Sequence, residues 1–153
     1  MLTANPYCTQ AHLDVAMHLL RSDFGPVVAN VCGRLLSHGA ANLSDLSRGL
    51  GLGLSQLRDA LLVLLQQNLV KCVARTAGGP KGRRGDAPPP AIAFYEAQID
   101  EVLVRRWFPR MLLFVRERFN MDAEVVLQEL MTHGRLSSEL LVQHAVATYS
   151  AER

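Results

Sequence analysis

Residues 76–90, TAGGPKGRRGDAPPP, constrain the fold more than any other segment. Pro80 and Pro88, Pro89 and Pro90 remove backbone donors, and the interspersed glycines raise the entropy cost of order, so neither helix nor sheet can run through it. On either side lie short apolar runs, LVKCVAR at 69–75 and AIAFYEA at 91–97. Their apolar, β-branched and aromatic content predicts two strands joined by a long basic loop.

Upstream, the pattern is helical. Leu13, Met17 and Leu20 share one face of a helix over residues 9–22, and Phe24 just beyond it continues the spacing. Gly25-Pro26 predicts the start of a second helix, with Val27, Val28, Val31, Leu35 and Leu36 turned inward and Gly39 ending it. A short helix begins near Leu43, with Ser44 as its expected N-cap, and closes at Gly49-Leu50-Gly51-Leu52-Gly53. Ser55 is the expected cap of the next helix, whose inner face is Leu57, Leu61, Leu64 and Leu65 and whose outer face carries Gln56, Arg58, Asp59, Gln66 and Gln67. Helices followed by a strand, a flexible loop and a strand make a winged helix-turn-helix, with residues 76–90 as the wing. The fold class is mainly α with a small β-hairpin, and residues 1–97 form the domain.

Beyond the hairpin, residues 98–119 predict connecting helices, with Pro109 breaking or kinking the run. Asn120 is positioned to cap a helix from Met121 to His133 that Gly134 ends. LLSHGAANLSDL (35–46) and LMTHGRLSSEL (130–140) share a helix end, His-Gly, then Leu-Ser at a helix start, with Ser44 and Ser137 in matching capping roles. Residues 120–153 are therefore expected to be the first two helices of a second, truncated winged helix. A chance likeness between two helix–turn–helix joints is the alternative.

Length and composition admit one domain or slightly more: 153 residues, 49% hydrophobic and 20% charged. No apolar run is long enough to cross a bilayer, and the N-terminus lacks the pattern of a secretory signal. Cys8, Cys32 and Cys72 are odd in number and scattered, which suits a reducing compartment. Net charge is +2, but residues 71–90 hold five cations (Lys71, Arg75, Lys81, Arg83, Arg84) against Asp86, a local +4, leaving −2 on the rest. A basic arm on a near-neutral body points to a polyanionic partner; a loop that only aids solubility is the bland reading.

Catalytic and metal patterns are missing. The glycines at 49–53 follow no strand, residues 78–84 lack the Gly-Lys-Ser/Thr ending of a phosphate loop, and no G-x-S-x-G occurs. Cys8, His12, Cys32, His38 and Cys72 show no recognisable metal spacing, and His38 and His133 read as helix-end residues. The expectation is no enzyme, no cofactor, no metal and no small-molecule substrate. The DNA-binding candidates are Ser55, Gln56 and Arg58 on the third helix and Lys71, Arg75, Lys81, Arg83 and Arg84 on the wing. Asp59 offsets Arg58, so sequence-tolerant backbone contact is expected rather than base readout. Arg105, Arg106, Trp107 and Arg110 are candidates for a protein interface, with intramolecular packing of Trp107 and Phe108 as the alternative.

The segments ALLVLLQQNLVKCV, AFYEAQ, VLVRRWFPRML and AEVVLQELMTHGRLS, in this order, resemble one family. It is the N-terminal region of the RNA polymerase III subunit that belongs to the enzyme's three-subunit initiation subcomplex and is related to the alpha chain of transcription factor IIE. The likeness runs from about His12 to Thr148. It implies tandem winged helices, a nuclear location, a non-catalytic role in transcription initiation and promoter opening, and contacts with DNA, other polymerase III subunits and the initiation factor. The chain departs from the family in its long wing and in ending within the second unit, which suggests a fragment, an isoform or a shortened product. Two alternatives stay open: a free-standing dimeric winged-helix regulator, and a winged helix that binds only protein.

Overall fold

The computed structural model describes residues 9–76 and 91–151. Helix α1 (Gln10–His38) is two helices in one, because Gly25 sits at φ +80° in the middle and Pro26 restarts the run. Proline has no N–H to lose at a first turn, and glycine alone takes that φ without strain. Gly39, also at positive φ, closes α1 by returning its N–H to the Leu35 carbonyl. The sequence expectation of a break at Gly25-Pro26 and a stop at Gly39 therefore holds.

A two-residue strand, β1 (Ala41–Asn42), precedes α2 (Leu43–Leu50) and α3 (Leu54–Gln66). Two caps differ from expectation. Asn42, not Ser44, caps α2 by accepting the Asp45 N–H at 2.8 Å. Gly53, not Ser55, precedes α3, which has no side-chain cap. In both cases the helix begins earlier than the serine, so the serine lies inside the first turn.

Strands β2 (Val70–Thr76) and β3 (Ala91–Ala97) pair antiparallel from Val70 opposite Ala97 to Thr76 opposite Ala91. β3 also pairs with β1, Ala41 opposite Tyr95, giving the order β1-β3-β2. The two hairpin strands agree with the sequence reading, and the fold is a winged helix-turn-helix. Its wing tip, with Lys81, Arg83 and Arg84, falls outside the described residues.

One apolar core unites this unit. Leu20, Val31, Cys32 and Leu35 from α1 meet Leu46 from α2, Leu57, Leu61 and Leu64 from α3, and Leu69 and Val70 at the start of the wing. Each leucine of that size contributes about 1.5–3 kcal/mol by burial. Val102 of α4 (Ile99–Val104) is fully buried in the same core, so the winged helix is completed by a helix that follows its wing.

A 3-10 turn at Arg105–Trp107 leads into α5 (Phe108–Arg118). Pro109 occupies the first turn of α5, so it starts a helix rather than kinking one. Then come α6 (Met121–His133), capped by the Asn120 side chain accepting from Ala123, and α7 (Ser138–Ala151), whose Leu140 N–H meets the Ser137 hydroxyl. α5 packs on α6 and α6 on α7. These helices bury little: Phe114, Phe119, Val142 and Val146 are each at least 60% exposed. No helix among the described residues is long and apolar enough to cross a membrane.

Candidate nucleic-acid interface

The outer strand of the hairpin, β2, stands clear of the head beyond its first residue. Val70 is buried, yet every residue from Lys71 to Arg75 is exposed, on both faces of the strand. Strand alternation would hide one face only if a body lay behind it, so β2 leaves the core after one residue. Lys71 lies opposite Glu96, and its Nζ donates to Gln98 Oε1 at 2.9 Å. Arg75, four residues out, lays its guanidinium over the Phe94 ring at 5.2 Å. That stacking holds the planar cation against the strand without using its N–H donors, leaving them for a phosphate.

Ser55, Gln56 and Arg58 are exposed near the start of α3, as expected. The middle of the same outer face is apolar, however, with Leu62 64% exposed and Val63 beside it. Arg58, Leu62 and Tyr95 border one shallow pocket between α3 and β3. A second basic feature escaped the sequence reading. Arg34 from α1 lies over Gly49, where a Cβ would come within 3.1 Å of its Nε, and shares a pocket with His38 and Arg48. Arg48 is tied to Asp45 at 2.9 Å. Nothing in local spacing joins position 34 to 48; the packing of α1 on α2 does.

The four interface candidates separate into two groups. Arg105 is only 12% exposed and faces inward. It donates to Asp23 Oδ2 at 2.8 Å and to Gln67 Oε1 at 3.1 Å, and it stacks on Phe24 and Phe108 at 4.7 and 5.0 Å. Arg106 and Arg110 instead flank the indole of Trp107, each about 5.2 Å from the ring. Trp107 is 42% exposed and borders two grooves, one with Val15 and Leu103, the other with Met111, Phe114 and Met131.

A polar clasp joins the winged helix to the end of α6 and the turn that follows it. The Gln66 side chain donates to the carbonyls of His133 and Arg135, and Gln67 donates to that of Thr132 at 2.7 Å. In return, the Arg135 N–H donates to the Gln66 carbonyl at 3.0 Å and its guanidinium to Asn68 Oδ1. Gln66-Gln67 had read as a solvated helix face; only the approach of a distant turn gives it partners.

Comparison with known proteins agrees with this geometry. Residues 14–75 match the helix-turn-helix domain model of RNA polymerase III subunit RPC82. The matched segment runs from α1 through α3 to the end of the first wing strand. The head is thus similar to the RPC82 helix-turn-helix domain. The likeness continues past it: the chain is 27% identical to DNA-directed RNA polymerase III subunit RPC3 of Homo sapiens over 88% of its length, and 29% identical to the Dictyostelium discoideum subunit over 86%. The chain spans 23% and 21% of those two relatives. The RPC3-like stretch therefore covers the RPC82-type head together with helices beyond it.

Proposed function

We propose that this chain is a non-catalytic module of nuclear RNA polymerase III that serves transcription initiation and promoter opening through subunit and DNA contacts. One observation carries the reading: a head similar to the RPC82 helix-turn-helix domain displays an antiparallel hairpin whose basic loop, by sequence, holds three further cations. Lys71 and Arg75 along β2, with Lys81, Arg83 and Arg84 in the loop, contact phosphates of single- or double-stranded DNA without reading bases. Ser55, Gln56 and Arg58 line the α3 face beside them. The exposed Leu62 and Val63 favour a protein surface over a DNA groove for the rest of that face, since a base-reading helix presents polar and cationic side chains. Arg106, Trp107 and Arg110 form a second contact for other polymerase III subunits or the initiation factor.

Residues 120–153 serve as the opening helices of a second winged helix. Its α6–α7 joint repeats the Leu-Ser start of the first, although Ser137 caps α7 whereas Asn42 takes that role for α2.

Affinity purification of the tagged chain from nuclear extract tests the assignment. Recovery of polymerase III subunits is the expected result; a homodimer that recovers none of them and binds a palindromic site would replace it with the free-standing regulator. Co-purification without any shift of single- or double-stranded DNA would reduce the module to protein contacts alone.

A further inference from the structure

The weakly packed α6–α7 pair encloses one polar cluster that the proposed function does not use. Glu129 on α6 is only 8% exposed. Its Oε1 accepts the Thr148 hydroxyl at 2.7 Å. Its Oε2 lies 3.3 Å from His133 Nε2 and 3.8 Å from His144 Nδ1. The three ligand-type atoms all fall within 4.8 Å of one another, and the two imidazole rings are 4.5 Å apart, tilted by 56°. Glu129 and His133 are one helical turn apart on α6, and His144 comes across from α7.

We propose that Glu129, His133 and His144 form a site for a divalent first-row transition ion of the zinc class, pinning α6 to α7. Zinc bound to nitrogen and carboxylate oxygen at about 2.0–2.2 Å in a tetrahedron sets its ligands roughly 3.3–3.5 Å apart. The Glu129–His133 pair already has that spacing. The Glu129–His144 pair needs a shift of about half an ångström to reach it, and the two half-exposed imidazoles must draw their ligand nitrogens together from as much as 4.8 Å. Two nitrogens and one oxygen exclude calcium and magnesium, which take oxygen shells. The solvent side of the imidazoles leaves a fourth position for water. Thr148 is the outer partner that such sites place on a ligating carboxylate, fixing which oxygen faces the ion.

The alternative is a carboxylate that shares hydrogen bonds with two imidazoles and holds no ion. Calorimetric titration of the full 153-residue chain with zinc chloride separates the two, carried out in a Cys8→Ser/Cys72→Ser background so that thiols do not compete. The expected result is one ion per chain, and a cobalt(II) spectrum with tetrahedral visible bands but no thiolate charge transfer. His144→Ala should weaken binding by at least about 100-fold, and Thr148→Val by about 10–100-fold. Zinc should raise the melting temperature of the parent and leave that of His144→Ala unmoved. Should His144→Ala fail to fold, Glu129→Gln has the same shape and carries the test instead. Absence of saturable binding, or unchanged affinity in Glu129→Gln, overturns the site.

Discussion

Arg105 Nε lies 2.8 Å from Asp23 Oδ2, joining the turn after α4 to the middle of α1 across 82 residues of sequence. The same guanidinium reaches Gln67 and stacks on two aromatic rings, so one side chain gathers α1, the end of α3 and the start of α5. A planar cation with a fork of donors can do this; an ammonium cannot. Arg105→Ala should cost roughly 3 kcal/mol in urea unfolding, the order found when one partner of a buried pair is removed. Arg105→Lys should recover less than half of that loss. A loss below about 1 kcal/mol, the range of a surface pair, would show that the arginine is not a fastener.

Gly134 and Gly51 both lie at positive φ, +74° and +64°, but in different surroundings. A Cβ on Gly51 meets nothing within 4 Å, whereas one on Gly134 would sit 2.4 Å from the Gln66 carbonyl oxygen. Gly51→Ala should therefore cost only the backbone term, about 1–2 kcal/mol. Gly134→Ala should cost more, because the Gln66–Arg135 clasp must open, and it should speed hydrogen exchange at Arg135. Equal losses of stability for the two variants would refute the clasp as a close contact.

Cys32 is fully enclosed by the core, and burial raises its thiol from an ordinary 9.0 to about 12. The unfolded chain ionises this thiol near 9.0 while the folded one keeps its proton, so the contribution to stability is intact below pH 9 and lost as pH rises toward 12. At pH 8 a thiol reagent should modify exposed Cys72 quickly and Cys32 only on unfolding. Mass spectrometry of tryptic peptides reads both sites; rapid modification of Cys32 in the native chain would contradict its burial.

The wing cations should show in salt dependence. Each phosphate neutralised contributes a slope of about 0.9 in log affinity against log salt for duplex DNA. Arg83→Ala/Arg84→Ala should lower the slope by nearly 2, and Arg75→Ala by about 1, at any DNA sequence. A slope unchanged by all three substitutions would remove the hairpin from the DNA contact.

The sequence made the hairpin legible because its signals are local and opposed: apolar strand residues such as Val70 and Phe94 against a loop that can form no ladder. The Gly25-Pro26 break and the Asn120 cap were legible for the same reason. Strand β1 was not, since two residues cannot display alternation, and Asn42 is drawn into the sheet only by Phe94 opposite it. The capping role given to Ser44 failed because Asn42, an equally good cap, stood just upstream, and that given to Ser55 failed because α3 already begins at Leu54, after Gly53. Glu129 and His133 have a visible four-residue spacing, yet His144 joins them only once α7 doubles back. Arg105 read as a protein-interface candidate, because its partners at 23, 24 and 67 are brought together by tertiary packing alone.

The strand order β1-β3-β2 leaves β2 at the rim of the sheet, with its outer row of backbone donors and acceptors open among the described strands. Such a rim is a template on which a second copy could grow a continuous sheet. Lys71 and Arg75 stand along it, so an incoming β2 of like kind would meet positive charge with positive charge. The residues suited to gripping a polyanion thus also guard the molecule against polymerising on itself.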